Sequence, residues 1–151
     1  MTAIGDSVML AAETQLREEI GNVDVRAVVS RGVTEGLEEI RQLEGDDALG
    51  EVVVIHLGNN GSFSGDQFDE LMNVLGERSA IFVNLRVSMA WEATNNAMLA
   101  ENVADYANAL LVDWHGESSG HPEYVWEDGV HLRPEGARAY AELIARSLRA
   151  P

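Results

Sequence analysis

The chain has 151 residues, the size of one ordinary domain, and 46% of them are hydrophobic. Its formal net charge of -16 at pH 7 argues against a nucleic-acid partner, because phosphate backbones attract basic surfaces. The sequence contains no cysteine, which excludes thiol catalysis, disulfides and cysteine metal sites. We therefore expect residues 1–151 to fold as a single domain with a sizeable core.

Hydrophobic spacing in the first third of the chain predicts two strands and two helices. Residues 1–4 form a strand that is short for the centre of a sheet, which indicates that the chain was cut from something longer. Apolar side chains four residues apart over 8–20 predict a helix directly after Ser7. The β-branched run at 23–29 predicts the second strand, and helical spacing returns over 33–43.

The rest of the chain repeats this alternation. The further predicted elements are strands at 52–55, 81–83 and 110–112, and helices at 68–75, at 94–107 and from Pro134 to 148. Parallel neighbouring strands need crossover connections, and helical crossovers cover both faces of a sheet. We therefore expect an α/β protein, a three-layer α/β/α sandwich with a flavodoxin-like five-stranded parallel sheet.

The loops after the predicted strands are where a ligand would bind. In open parallel sheets, ligands lie beyond the carboxyl ends of the strands. The loops expected at that edge contain Ser7 and the segments 30–32, 58–65, 87–91 and 114–127. Most of the chemically suggestive residues of the chain fall in these loops.

Ser7, Asp128 and His131 supply the residue types of a split Ser-His-Asp unit. A serine hydroxyl is a weak nucleophile near neutral pH, so acyl chemistry at Ser7 needs a base within reach and a group that orients that base. Taken singly, each residue also has a structural interpretation, as a helix N-cap, a turn cap and a hydrogen-bonded histidine. Their joint presence favours catalysis.

Three motifs together resemble the SGNH, or GDSL, hydrolase superfamily. They are Gly-Asp-Ser at 5–7 after the first strand, Gly-Asn-Asn at 58–60 after the third, and Asp-Gly-Val-His at 128–131 before the last helix. The resemblance extends along the whole chain and implies the SGNH hydrolase fold.

A narrower resemblance is to the SGNH domains fused to membrane acyltransferase-3 proteins, which include peptidoglycan O-acetyltransferases. It rests on the segments 5–9, 56–61, 112–114 and 128–132. It implies that this domain was excised from a longer membrane-anchored protein, lies on the extracytoplasmic side, and has a membrane acyltransferase domain on the same parent chain as a partner.

The resemblance assigns a role to each candidate catalytic residue. Ser7 would be the nucleophile, His131 the base that takes its proton, and Asp128 the residue that fixes the imidazole tautomer. The side-chain amide of Asn60 and the backbone amide of Ser7 would form the oxyanion hole. Asn60 is preferred over Asn59 because it occupies the third place of the Gly-x-Asn triplet.

A third oxyanion donor is expected after the second strand. The superfamily usually offers a glycine amide there, whereas the acyltransferase-linked group often carries Ser-Arg-Gln. Here the stretch is Ser30-Arg31-Gly32. Aligning Ser-Arg with Ser-Arg selects the amide of Ser30, and aligning glycines selects Gly32. We favour Ser30; Gly32 then replaces the family's glutamine and any substrate contact that glutamine would make.

Several other side chains near these loops receive a structural or an open interpretation. Asp6 is expected to bond neighbouring backbone amides. Three tryptophans could stack on a sugar ring or cover core edges, and they are Trp91, Trp114 and Trp126. The remaining histidines have no metal-site spacing with Asp or Glu, and they are His56, His115 and His121. We expect no metal and no organic cofactor.

The favoured function is serine-dependent acyl transfer through an acyl-enzyme at Ser7. The resemblance implies an O-acetyltransferase or O-acetylesterase that uses an acetyl donor and a carbohydrate acceptor, or an acylated carbohydrate, at the cell surface. One alternative is a free-standing GDSL esterase or lipase on small esters. The other is a catalytically idle SGNH module that binds glycan.

Overall fold

A computed structural model describes residues 1–149 and contains one five-stranded sheet. The strands are β1 Thr2–Gly5, β2 Asp24–Ala27, β3 Val52–His56, β4 Ser79–Val83 and β5 Ala109–Val112. All neighbouring strands pair in parallel, in the order β2-β1-β3-β4-β5. The predicted five-stranded parallel sheet of flavodoxin-like order is confirmed.

Residues 1–149 contain seven helices and one short 3-10 turn; the first five helices connect successive strands, and the other elements follow the last strand. The helices are α1 Ser7–Ala11, α2 Glu13–Ile20, α3 Val33–Gly45, α4 Gly65–Leu75, α5 Glu92–Val103, α6 Trp114–Ser118 and α7 Pro134–Leu148. The 3-10 turn is Pro122–Tyr124. Among residues 1–149, none of these helices combines the length and apolar character needed to cross a bilayer.

The helices cover both faces of the sheet, because successive side chains of a buried strand point to opposite faces. Ile4 and Ile55 pack into one core with apolar residues of α3, α4 and α5. Ala3 and Val54 pack into the other core with residues of α1, α2 and α7. The result is the predicted three-layer α/β/α sandwich.

The register of the central strands brings three loops to one edge. Gly5, the last residue of β1, lies opposite Ala27 of β2 and His56 of β3. All three strands end within one residue of this level, so the segments that follow them begin side by side. This alignment places the loop after β1 between the loops after β2 and β3.

Three predicted boundaries were wrong. The helix expected over 8–20 is broken at Ala12, whose amide bonds the carbonyl of Met9 three residues back and so closes α1. Because Ala12 is itself buried, the apolar spacing continues across the break and conceals it. The strand expected to reach residue 29 ends at Ala27, and the helix expected to reach 107 ends at Val103.

Candidate active site

A sharp turn after β1 places Ser7 at the carboxyl edge of the sheet. Asp6 is the N-cap of α1, and its Oδ1 accepts a hydrogen bond from the amide of Val8 at 2.9 Å. Gly5 is required immediately before it, since a Cβ there would lie 2.6 Å from the Cβ of Met9. The expected hydrogen bond of Asp6 to a neighbouring backbone amide is confirmed, and Asp6 rather than Ser7 caps α1.

Ser7, His131 and Asp128 form a continuous hydrogen-bonded chain. The Oγ of Ser7 lies 3.0 Å from the Nε2 of His131, and the Nδ1 of His131 lies 2.7 Å from the Oδ2 of Asp128. With the ring proton on Nδ1, the imidazole donates to Asp128 and its Nε2 accepts the hydroxyl hydrogen of Ser7. The three predicted residues are therefore brought together in one hydrogen-bonded chain.

The Asp128 carboxylate is held by the turn that also carries His131. Its Oδ1 accepts from the backbone amides of Val130 and His131, at 2.9 and 3.0 Å. Gly129 allows this turn because its φ of 75° lies in the left-handed region. Desolvation is the largest influence and raises the pKa of Asp128, but the hydrogen bonds from Val130 and His131 together outweigh it and hold the pKa below its usual value. Asp128 therefore stays ionised opposite His131.

The backbone on either side of His131 is anchored to the segment before it. The amide of Trp126 donates to the carbonyl of His131 at 2.8 Å, and the residues next to these, Val125 and Leu132, form an antiparallel bridge. Pro134 is the first residue of α7, as predicted. These contacts fix where the imidazole stands relative to Ser7.

The loop after β3 brings two asparagine amides to the turn that carries Asp6 and Ser7. The Nδ2 of Asn60 donates to Asp6 Oδ2 at 3.2 Å and to the carbonyl of Arg31 at 3.1 Å. Asn59 is buried behind it and donates to the same oxygen of Asp6 at 3.0 Å. Asn60 is the more exposed of the two and lines the same cavity as Ser7.

Asn95 of α5 holds this loop in shape, a role that reasoning from the sequence did not anticipate. Its Nδ2 donates to the carbonyls of Gly58 and Gly61, at 3.1 and 2.9 Å, and its Oδ1 accepts from the amide of Phe63. Gly58 has a φ of 107°, which only glycine adopts readily. The loop from Gly58 to Gly61 is therefore stabilised by a buried side chain from a distant helix.

The loop after β2 lies against Asn60, as the contact with the Arg31 carbonyl requires. Ser30 adopts a φ of 62°, a left-handed conformation that is uncommon for a residue with a side chain. Within residues 1–149, the backbone amides of Ser30 and Gly32 have no acceptor. Both therefore stay candidates for the third oxyanion donor.

A cavity of about 330 Å³ opens above Ser7 and has one polar and one apolar side. The polar side contains Ser7, Asn59, Asn60, Asp128 and His131. The apolar side consists of Val87, Met89, Trp91 and Val130. This arrangement suits a small ester whose acyl group contacts the apolar wall while its carbonyl faces the polar groups.

A second cavity of about 570 Å³ is lined by Trp126 and by Gly129, which lies in the chain between Asp128 and Val130 of the first cavity. The Trp126 side chain is 53% exposed, and the Arg133 guanidinium carbon lies 4.8 Å from the centre of its ring. Trp114, in contrast, is 1% exposed and packs edge-on against Tyr140. Of the two interpretations left open for Trp114, packing in the core is the one that the structure shows.

Comparison with known proteins places this geometry in a family. No family model matches the chain. It is 37% identical over 147 residues to the protein YrhL of Bacillus subtilis strain 168, and 34% identical over 142 residues to the peptidoglycan O-acetyltransferase OatA of Listeria monocytogenes serovar 1/2a. These alignments cover 97% and 94% of this chain. The chain spans about a quarter of the length of these relatives, at 23% of each.

Solved structures agree with the sequence relatives. The C-terminal catalytic domain of Streptococcus pneumoniae peptidoglycan O-acetyltransferase A, with a methylsulfonyl adduct, matches with a TM-score of 0.87 and 26% identity over 98% of this chain and 91% of that one. The chain belongs to the SGNH hydrolase superfamily. A GDSL-like lipase of Bacteroides thetaiotaomicron shares the SGNH fold with a TM-score of 0.77 and 16% identity, over 98% of this chain and 86% of that chain.

Within this SGNH domain, the structure brings all the predicted site residues to one edge of the sheet. They are Ser7, Ser30, Gly32, Asn60, Asp128 and His131. Reasoning from the sequence did not anticipate that Asp6 binds both loop asparagines, nor that Asn95 shapes the loop. Residues 1–149 contain no group of three or more histidine, aspartate or glutamate side chains that could hold a metal ion.

Proposed function

We propose that this domain transfers an acetyl group between an acetyl donor and a hydroxyl group of a cell-surface carbohydrate, through an acyl-enzyme on Ser7. The observation that carries this proposal is the hydrogen-bonded chain from Ser7 Oγ through His131 to Asp128. The names of the relatives support the acetyl group and the carbohydrate, because they include peptidoglycan O-acetyltransferases.

In the first half of the reaction, Ser7 Oγ attacks the acyl carbonyl carbon. His131 Nε2 takes the hydroxyl proton as the new C–O bond forms, and Asp128 stabilises the resulting imidazolium. When the tetrahedral intermediate collapses, the bond to the donor's oxygen breaks and His131 returns the proton to that leaving oxygen. The products are an acetyl ester on Ser7 and the free donor alcohol.

The negative charge of the tetrahedral intermediate needs donors on the carbonyl oxygen. The side-chain amide of Asn60 and the backbone amide of Ser7 are assigned this role, with the amide of Ser30, or alternatively Gly32, as the third donor. Each such donor lowers the barrier by roughly 3 kcal/mol. Asn60 would exchange its hydrogen bond to the neutral carbonyl of Arg31 for one to the oxyanion, because bonds to charged acceptors are the stronger.

In the second half, a carbohydrate hydroxyl attacks the acetyl ester. His131 takes the proton of this hydroxyl, the bond between the acyl carbon and Ser7 Oγ breaks, and the proton passes to Ser7. Trp126 lines the second cavity together with Gly129, the residue between Asp128 and Val130, and its exposed ring suits stacking with a sugar ring of the acceptor. The acceptor would therefore extend from Ser7 across Gly129 towards Trp126.

Hydrolysis of an O-acetyl ester is the second candidate function. The side chain of His131 is 50% exposed, which allows water to reach its Nε2 after the acyl-enzyme forms. Water in place of the sugar hydroxyl would make the same domain an O-acetylesterase. The choice between the two depends on which nucleophile the acyl-enzyme meets first.

We further propose that residues 1–151 form a single catalytic domain of a longer, membrane-anchored and extracytoplasmic protein. This proposal is supported by the small share of the relatives that the chain covers. A membrane acyltransferase domain on the parent chain would be the source of the acetyl group.

The test measures turnover of p-nitrophenyl acetate with and without a chitooligosaccharide acceptor, with mass spectrometry of the products. We expect acetylated sugar from the parent domain, and none from Ser7→Ala. Ser119→Ala is the matched control, since Ser119 is exposed and lies outside the site. Free acetate as the only product would favour the esterase, and glycan binding without turnover of any ester would favour the idle module.

A further inference from the structure

Four buried polar side chains form a continuous hydrogen-bonded chain that runs from Tyr140 through His56 and Asn59 to Asp6, the residue before Ser7. Asp6, His56 and Tyr140 are fully buried, and Asn59 is 6% exposed. Tyr140 Oη lies 2.8 Å from His56 Nδ1, and His56 Nε2 lies 3.3 Å from Asn59 Nδ2. The mechanism above uses neither His56 nor Tyr140.

The hydrogen bonds of Asn59 determine which way its amide faces. Its Nδ2 donates one hydrogen to Asp6 Oδ2 at 3.0 Å and directs the other at His56 Nε2. Turning the amide over would set its oxygen against the carboxylate oxygen of Asp6. The amide keeps this orientation even though its Oδ1 has no partner within residues 1–149.

The orientation of Asn59 in turn determines the protonation of His56. Because Asn59 presents hydrogens to Nε2, that nitrogen must accept and therefore carries no proton. The ring hydrogen then lies on Nδ1 and is donated to Tyr140 Oη. Burial lowers the pKa of His56, which agrees with a neutral ring.

This buried chain reaches the reacting groups through Asp6. The same Oδ2 of Asp6 that binds Asn59 also accepts from Asn60 Nδ2 at 3.2 Å, and its Oδ1 accepts from the amide of Val8 at the start of α1. Displacement of Asn59 would therefore move the carboxylate that holds both the oxyanion amide and the start of α1.

We propose that His56 is a positioning residue for the oxyanion hole: its neutral ring, with hydrogen on Nδ1 and Nε2 as acceptor, fixes Asn59 against Asp6 and thereby fixes Asn60. His56 contacts neither Ser7 nor the cavity above it. The kinetic part of this inference rests on the proposed function, because it assumes that Asn60 binds the oxyanion.

Two substitutions separate the acceptor role of His56 from its packing. His56→Gln keeps a side-chain oxygen that can accept from Asn59, whereas His56→Leu fills similar space without an acceptor. We expect His56→Leu to lower kcat by about 10- to 100-fold with little change in KM, because small displacements of catalytic groups have effects of this size. His56→Gln should recover most of that loss. Equal kcat values for the folded Gln and Leu variants, or an unchanged kcat in His56→Leu, would overturn the proposal.

A measurement that needs no turnover keeps the inference testable if either variant fails to fold or if the domain hydrolyses no ester. The ring 15N shifts of His56 in the parent domain distinguish the two neutral tautomers and the imidazolium. The signals are assigned by elimination, because His115→Gln, His121→Gln and His131→Gln each remove one signal set at a half-exposed side chain and the set that remains belongs to His56. We expect the tautomer with hydrogen on Nδ1 near neutral pH. A proton on Nε2, or a charged ring, would overturn the proposal, whereas absent turnover with the expected tautomer would count against the proposed function alone.

Discussion

The Nε2 of His131 lies 3.0 Å from the Oγ of Ser7, although 124 residues separate the two in the chain. Ser7 is placed by the turn after strand β1, and His131 by the bridged turn that precedes α7. Neither placement depends on the other, because each turn has its own hydrogen bonds. Substitutions at Ser7 should therefore change chemistry without unfolding the domain.

Asn60 and Asn59 offer a matched test of the oxyanion assignment. Asn60→Ala should lower kcat for p-nitrophenyl acetate by about 100- to 1,000-fold, the usual effect of removing one oxyanion donor. Asn59→Ala should lower kcat less, by about 10- to 100-fold, because it displaces Asn60 only through Asp6. It should also lower the free energy of unfolding, since it leaves buried partners at Asp6 and His56 without their donor. Steady-state kinetics and urea unfolding of both variants check this. A larger kcat loss in Asn59→Ala than in Asn60→Ala would reverse the assignment.

Asp6→Ala should lower the free energy of unfolding far more than a substitution at its neighbour Ser7. It removes the N-cap of α1 and leaves the amides of Asn59 and Asn60 without an acceptor. We expect a loss of about 2–4 kcal/mol in the free energy of unfolding. Ser7→Ala, its neighbour, should change that free energy by less than about 1 kcal/mol. Urea denaturation of both variants measures the contrast, and equal stability losses would show that Ser7 is itself the structural cap.

Asp128→Asn should lower kcat by about 10,000-fold while the domain stays folded, because an amide favours the wrong tautomer of His131. Rates with p-nitrophenyl acetate, together with the circular dichroism spectrum, provide the check. A variant that keeps more than about one tenth of the parent rate would remove Asp128 from the catalytic unit.

The same carboxylate gives a pH dependence of stability with a definite sign. The pKa of Asp128 in the folded domain lies below its ordinary value, so the unfolded chain binds a proton at higher pH than the folded one does. Its contribution is present above the unfolded pKa of about 3.9 and is lost as pH falls through the lower folded value. The difference in melting temperature between the parent and Asp128→Asn should therefore shrink below about pH 4. A difference that grew on acidification would contradict this.

Trp126 and Trp114 should respond oppositely to substitution. Trp126→Ala removes an exposed ring and should raise KM for the sugar acceptor with little effect on melting temperature. Trp114→Ala empties a buried site beside Tyr140 and should cost about 3–5 kcal/mol of stability. Acceptor titrations and thermal denaturation measure the two effects. An unchanged acceptor KM in Trp126→Ala would exclude sugar stacking there.

The sequence predicted the fold and the meeting of Ser7, Asp128 and His131 for identifiable physical reasons. Continuous apolar runs such as 52–55 indicate strands buried on both faces, and parallel strands deliver their following loops to one edge. Ser7 and His131 could therefore be expected to meet once the order of elements was known. Their roles came from the resemblance of their motifs to a family.

The remaining features depend on contacts that sequence spacing does not contain. The break at Ala12 is hidden because the apolar face continues across it, and Trp114 was placed in a loop although the helix α6 directs it into the core. Asn95 reaches the loop at Gly58 from a helix 37 residues away in the chain. Only the packed structure shows such partners.

The most direct test of the central claim is the intact mass of the domain after reaction with p-nitrophenyl acetate, followed by peptide mapping. We predict a single acetyl adduct on Ser7 in the parent. In His131→Gln this adduct accumulates further if deacylation needs the base more than acylation does. Ser7→Ala should carry no adduct at all. An acetyl group on any other residue, with Ser7 unmodified while ester is consumed, would contradict the account.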